Sequence, residues 1–298
     1  MAISFFNEKY LFNISRSYIY KEILRELGHA LCLKHPFEGQ YVLPSEKDNT
    51  LYTVMSYTPY KTYVIEISPS LEINYVPEAF PITYQLLDFR VLQYLYGKNL
   101  NATSGDDIYK LGNLYEEKAY YTIWDAGGFN TLDLSSTDYP SYVNLNPGTF
   151  SSVGFHSLEV LKGKVLNPLL ELGLPYYSAE LNATDIVYSS EMSDQLYTGE
   201  NNLALAYDIY IEKVITGNGD DIVIDNDKDN VIITNGGNDT VILQGGGNDY
   251  VDGGAGIDTI QINGYYDNFR LQGNSLINIY SGNTVTFNNI ETIERKKR

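Results

Sequence analysis

Between residues 18 and 33, apolar side chains recur at three- and four-residue spacings through Ile19, Ile23, Leu27, Ala30 and Leu31, and predict an amphipathic α-helix. Pro36 and a polar stretch to Thr50 end that unit, and a second helix, apolar on one side, is expected over 84–95, after Pro81. From Asn99 onward the texture changes to short alternating runs punctuated by Gly, Asn, Asp and Pro, the pattern of short strands. The chain therefore reads as α+β, mainly β, with a boundary near residue 98.

Over 216–261 the alternation acquires a nine-residue period: TGNGDDIVI, DNDKDNVII, TNGGNDTVI and, after Leu243, QGGGNDYVD and GGAGIDTIQ. This is the G-G-x-G-x-D-x-U-x repeat of a parallel β-roll. Its eighth positions, Val223, Ile232, Val241, Val251 and Ile260, are expected to stack inward as a core. Two nonamers make one coil, so Asp221, Asp239 and Asp258 should lie one above another, with Asn230 above Asp249 on the other side. Oxygen-rich turns suit a hard cation. Asp221, Asp239, Asp249 and Asp258, with the turns at Gly217, Gly219, Gly237, Gly246, Gly254 and Gly256, are therefore the candidate calcium sites, several Ca2+ ions in all. Stacked carboxylates repel without a cation, which predicts calcium-dependent folding; a metal-free ladder of Gly, Asn and Asp hydrogen bonds is the alternative. Lys228 at a glycine position and Asn230 at the aspartate position make the second repeat the weak one.

Composition agrees with a cation binder. Thirty-eight acidic residues against 20 basic give a net charge of -18, which disfavours nucleic acid and anionic membrane as partners. A single cysteine, Cys32, excludes an intramolecular disulfide framework. No apolar run is long enough for a membrane span, and MAISFFNEKYLFNISR lacks the features of an N-terminal signal peptide.

The segment LRELGHALCLKH at 24–35 is one histidine short of H-E-x-x-H-x-x-G-x-x-H, in which three histidines converge on zinc and the glutamate polarises a water. Glu26, His29 and His35 are in register with it, while Arg25 replaces the first His and Cys32 the Gly. Together with VMSY at 54–57, the segment resembles the serralysin family of secreted bacterial metalloproteases, which are metzincins. The resemblance takes in KHPFEG (34–39), TVMSYTP (53–59), LLDFRVLQYLYGKN (86–99) and TIWDAGGFNTLDLS (122–135), and reaches the repeats.

That resemblance implies a partial metzincin catalytic domain over 1–98, with zinc helix, Met-turn and following helix, and a right-handed parallel β-roll domain with RTX repeats over 99–298. It implies one zinc held by His29 and His35, with Glu26 as general base, Tyr57 as oxyanion helper and Met55 as an apolar floor, acting on a protein or peptide substrate. It also implies secretion, through type I machinery. TSGDDIY (103–109) and WDAGGFNTLD (124–133) look like the first, isolated roll elements, with Phe129 and Asn130 as departures and Asp125 and Asp133 as remaining acids. Residues 155–199 follow no pattern of the family and are expected as an inserted loop or added strands, without a function; His156 reads as a surface or packing residue.

Three departures bear on activity and on export. About two dozen residues precede Arg25, too few for the sheet on which the family lays its substrate, which suggests truncation at the N-terminus. The terminal IETIERKKR is basic where relatives end in acidic and apolar residues. Arg25 has no free lone pair and its charge opposes a dication; paired with Glu22 or Glu26, it would also disarm the base. Cys32 reads as a small buried residue, with an inward thiolate ligand as the alternative. Two functions follow: a serralysin-like zinc endopeptidase homologue of weak or no activity, or a non-catalytic calcium-binding β-roll protein acting as an extracellular binding or structural module.

Overall fold

A computed structural model describes residues 16–188, 192–244, 246–263 and 268–295. Helix α1 (Arg16–Ala30) is followed by β1 (Tyr63–Ile67), β2 (Ile73–Pro77), β3 (Phe80–Pro81) and α2 (Leu86–Tyr96). Then come β4 (Ile108–Lys110), β5 (Ala119–Ile123), β6 (Thr131–Asp133), β7 (Tyr142–Asn144), β8 (Phe150–Ser151), α3 (Leu158–Glu171) and α4 (Tyr176–Tyr188). The remaining strands are β9 (Leu203–Leu205), β10 (Lys213–Ile215), β11 (Ile222–Ile224), β12 (Val231–Ile233), β13 (Thr240–Leu243) and β14 (Asp249–Asp252). They continue with β15 (Thr259–Ile262), β16 (Phe269–Leu271), β17 (Ser275–Asn278), β18 (Thr284–Asn288) and β19 (Thr292–Arg295). The described residues are mostly strand and irregular chain with few helices, the mainly-β class expected. They fall into two compact units, one within Met1–Leu92, Glu116–Tyr121 and His156–Glu200, the other within Gln93–Tyr115, Thr122–Phe155 and Asn201–Arg298.

In the first unit, α1 ends in a Schellman turn: the Leu33 N–H donates to Gly28 O at 2.9 Å and the Cys32 N–H to His29 O at 3.1 Å. Cys32 takes the left-handed position there, with φ 65°, and is exposed. It is therefore neither the buried residue nor the inward ligand considered above, because the left-handed turn points its side chain to solvent. The apolar stripe of α1 is also exposed, at Ile23, Leu27 and Leu31, whereas Ser17 and Gly28 are buried and Leu24 packs on Leu33, Val54 and Met55. Close packing explains the reversal: a Cβ at Gly28 would approach Met55 Sδ to 2.7 Å, so only a bare backbone fits on the covered side. Strands β1 and β2 form an antiparallel hairpin, and β3 pairs in parallel with β5 at Phe80 and Ala119.

The stretch expected as a loop or added strands is instead the helical pair α3 and α4. Ser157 caps α3 by accepting the Val160 N–H at 3.3 Å, and Leu161, Val165 and Leu169 bury one stripe at four-residue spacing. Gly163 and Pro168 inside α3 weaken that signal in the sequence. Ala179, Ala183, Ile186 and Val187 supply the buried side of α4, and His156 is fully buried beside the α3 cap.

The second unit is a β-roll. Among its described residues one sheet runs β16-β17-β18-β14-β12-β10-β6-β4 and the other β19-β15-β13-β11-β7. Consecutive strands from β10 to β15 alternate between the two sheets, so each pair of nonamers completes one coil. Val223 pairs in register with Val241 and Val241 with Ile260, while Val214, Ile232 and Val251 align in the other sheet. All six are at most 1% exposed, which makes these columns the core. The isolated elements at 103–109 and 124–133 carry β4 and β6, which extend the first sheet in parallel. Within these two sheets, β16 and β17 depart from the parallel pairing, folding back antiparallel beside β18.

Candidate functional site

Two clusters carry the sequence-derived candidates, one in each unit. In the first unit α1 presents Arg25, Glu26 and His29, the chain after its Schellman turn presents His35, and the turn at 53–57 presents Tyr57. His35 Nδ1 lies 2.7 Å from Met55 O; a carbonyl only accepts, so Nδ1 carries the proton and Nε2 the lone pair. That lone pair faces Tyr57 Oη at 3.1 Å, and Tyr57 Oη in turn accepts from Arg25 Nη2 at 2.6 Å. The result is a one-way donor chain, Arg25 to Tyr57 to His35 to Met55 O. Arg25 Nη2 also lies 3.5 Å from His35 Nε2, and its guanidinium sits 4.7 Å from the centre of the Tyr57 ring.

The other expected members are near but differently engaged. His29 meets His35 edge to face at 4.7 Å, with its Nδ1 3.3 Å from Leu33 O. Glu26 and Glu22 each stand 3.5 Å from Arg25 Nη1, so the glutamate expected as a base is paired with a cation. Met55 is 1% exposed and packs against Gly28 of α1. Phe37, not singled out from the sequence, stacks on His35 with ring centres 5.2 Å apart and an interplanar angle of 5°.

Asp88 was also missed. From the first turn of α2 its buried carboxylate accepts the Thr53 hydroxyl at 2.6 Å and the Val54 and Gln85 N–H groups at 2.9 Å each. Half of a capping box therefore doubles as a clamp on the turn that positions Met55 and Tyr57. The signal was an acid three residues after Gln85 at a helix start. Burial pushes this carboxyl up to about 6, against the pull of its hydrogen bonds.

Zinc does not fit this pocket as it stands. Arg25 occupies the first ligand position and the His35 lone pair is already used. Among the described residues no group of three or more His, Cys, Asp or Glu side chains is placed to hold a metal ion.

The roll turns present a different case. The Asp221 N–H donates to Asp239 Oδ1 at 2.8 Å, the Asp239 N–H to Asp258 Oδ1 at 2.9 Å, and the Asn230 N–H to Asp249 Oδ1 at 2.9 Å. Asp239, Asp258 and Asp249 thus each use one oxygen to hold the preceding coil, as Asp221 does by accepting the Ser141 N–H at 2.6 Å. The second oxygens of Asp239 and Asp258 are buried and have no hydrogen-bond partner, a costly state for a carboxylate. Burial raises Asp221 to about 6 and Asp239 and Asp249 to about 7. Because the carboxylates follow the strand spacing of about 4.8 Å, three do not meet at one point; a cation there would draw on main-chain carbonyls as well. The donor set, hard oxygens with two orphaned carboxylate atoms, fits calcium.

The other side of the roll is self-satisfied. Asn230 accepts the Asn226 N–H at 3.1 Å and donates to Ile211 O at 3.3 Å, and the Lys228 ammonium lies 4.2 Å from the Tyr210 ring centre. Glycine is required where coils touch: a Cβ on Gly237 (φ 119°) would strike the Gly219 carbonyl, and one on Gly256 (φ 144°) the Gly237 carbonyl. Gly217, Gly219 and Gly254 are similarly tight, whereas Gly246 has ordinary space and Gly247 takes the close contact instead. In the outlying elements, Asp125 accepts from the Tyr109 hydroxyl at 2.5 Å and the Gly127 N–H at 2.7 Å, and Asp133 accepts from the Ser135 N–H at 3.0 Å and its hydroxyl at 2.6 Å.

Comparison with known proteins gives a consistent result. Residues 87–165 match the family described as Peptidase M10 serralysin C terminal, a match that extends into α3. Serralysin of Proteus mirabilis is 32% identical over 150 residues, 44% of this chain and 29% of that protein. Serralysin C of Dickeya chrysanthemi is 31% identical over 155 residues, 47% of this chain and 31% of that protein. Serralysin of Photorhabdus luminescens is 27% identical over 222 residues, 68% of this chain and 35% of that protein. The chain spans about a third of the length of the curated relatives it matches.

Proposed function

From its similarity to serralysins we infer that this chain is a calcium-binding β-roll protein of that family whose protease-like pocket no longer holds a catalytic zinc. The observation that carries the reading is the Arg25 guanidinium, bonded to Tyr57 and 3.5 Å from His35 Nε2 where a metal ligand is required. In this reading residues 1–98 are the remnant of the catalytic domain and 99–298 the roll domain, except that 116–121 and 156–200 fold with the first unit. Calcium would be held along the Asp221, Asp239 and Asp258 column, where the buried orphan oxygens lie, with the turns at Gly217, Gly219, Gly237, Gly254 and Gly256 supplying carbonyls. It would supply there the positive charge that lets those carboxylates stay ionised in contact. The Asn230 and Asp249 side, where the Asn230 amide is engaged by the Asn226 N–H and Ile211 O, is the weaker or empty one. Kinship supports a secreted, extracellular protein exported by a type I system, and no described helix is long and apolar enough to cross a membrane.

A weak endopeptidase acting on protein substrates is the second reading, favoured by His29, His35, Glu26 and Tyr57 lying together. Casein cleavage by the calcium-loaded chain with added zinc, inhibited by a zinc chelator that spares calcium, would establish it. No cleavage under those conditions, together with a calcium-induced rise in β signal by circular dichroism, is the outcome expected here.

A further inference from the structure

We propose that Arg25 is a permanent surrogate for the missing metal: its guanidinium supplies the positive charge and the directional bonds that tie α1, His35 and the turn at 53–57 together, so that this unit holds its shape without zinc. The proposal deepens the reading of this pocket as a converted zinc site and rests on it.

A bound dication does two structural jobs in such a pocket. It takes up the lone pairs of its ligands, and it links the elements that carry them. The donor chain does both jobs here. The His35 lone pair, which a metal would need, accepts from Tyr57 Oη at 3.1 Å, and Tyr57 is in turn held by Arg25 at 2.6 Å. Met55 O fixes the opposite ring nitrogen of His35 as the protonated one. Phe37 covers His35 and Tyr57, with ring centres 5.2 Å from each. Glu22 and Glu26, both 3.5 Å from Arg25 Nη1, balance its charge, as carboxylates would balance a metal's. Lys21, 2.9 Å from Glu22, joins the same charge cluster, and of the guanidinium's nitrogens the buried Nε is the one with no partner among the described residues. Histidine at position 25 removes the opposing charge, releases Tyr57 and His35, and adds an imidazole one helical turn from His29.

The test uses the full chain, calcium-saturated, as wild type, Arg25→His and Arg25→Ala, each dialysed against micromolar zinc and then freed of loose metal. Elemental analysis should find essentially no zinc in wild type and Arg25→Ala, and about one zinc per chain in Arg25→His, an affinity gain of at least about 100-fold. Without zinc, Arg25→Ala should melt about 2–4 °C below wild type, and nitrogen NMR of its imidazoles should show that His35 no longer has one fixed tautomer. Should Arg25→His not fold, the melting and tautomer comparison of wild type with Arg25→Ala still decides. Zinc near one per chain in wild type, a folded Arg25→His that stays zinc-free, or an Arg25→Ala indistinguishable from wild type in both melting and tautomer overturns the proposal. Absence of a calcium response in all three proteins counts against the roll reading alone and leaves the zinc contrast to decide this one.

Discussion

At residue scale, single positions show what a motif conceals. Arg25 could be seen in the sequence as a missing histidine, but its bond to Tyr57 and its hold on His35 depend on the turn at 53–57 folding over α1, a non-local fact no spacing contains. Cys32 was legible as a strained substitution in a glycine turn, and its φ of 65° agrees. Cys32→Gly should therefore raise stability by about 1 kcal/mol in urea unfolding, because the left-handed backbone costs a non-glycine residue about that much. Asp88 offers a pH test. Its folded-state value of about 6 lies above the unfolded value of 3.8, so its contribution is fully present below about 3.8 and is lost as pH rises through about 6. That slope amounts to up to about 3 kcal/mol. Asp88→Asn should remove it, so the difference in unfolding free energy between wild type and variant should change between pH 4 and pH 7; a constant difference would contradict the assignment.

At the scale of elements, the nonamer period sets the register because an inward side chain at the eighth position of each nonamer leaves one way to stack, and the Val223, Val241 and Ile260 column follows it. The α1 stripe departs from expectation for the opposite reason: the covered side of the helix carries Ser17, Leu24 and Gly28, and the tight approach to Met55 at Gly28 leaves room for no side chain there. Helices α3 and α4 are hard to see in the sequence because Gly163 and Pro168 interrupt the first of them, although Leu161, Val165 and Leu169 carry a helical spacing. The asymmetry of the roll gives two contrasting expectations. Asp239→Ala should shift the calcium midpoint of the circular dichroism transition upward severalfold, whereas Asn230→Ala should lower stability by about 1–3 kcal/mol at any calcium concentration, through lost amide hydrogen bonds. Gly256→Ala, which drives a methyl into the Gly237 carbonyl, should cost more than either at saturating calcium, read by thermal unfolding.

For the whole molecule, the proposed reading makes cation binding the condition for a stable roll, given the charge of -18 and the stacked carboxylates, while the pocket in the other unit holds the Arg25 guanidinium bonded to Tyr57. The central claim is that one metal has been kept and the other replaced. The most direct measurement is the calcium and zinc content of the purified wild-type chain, taken on the same sample as a circular dichroism calcium titration. Several calcium ions per chain, a cooperative gain of β signal and no zinc are predicted; zinc near one per chain, or a roll fully folded with calcium stripped away, would contradict the account.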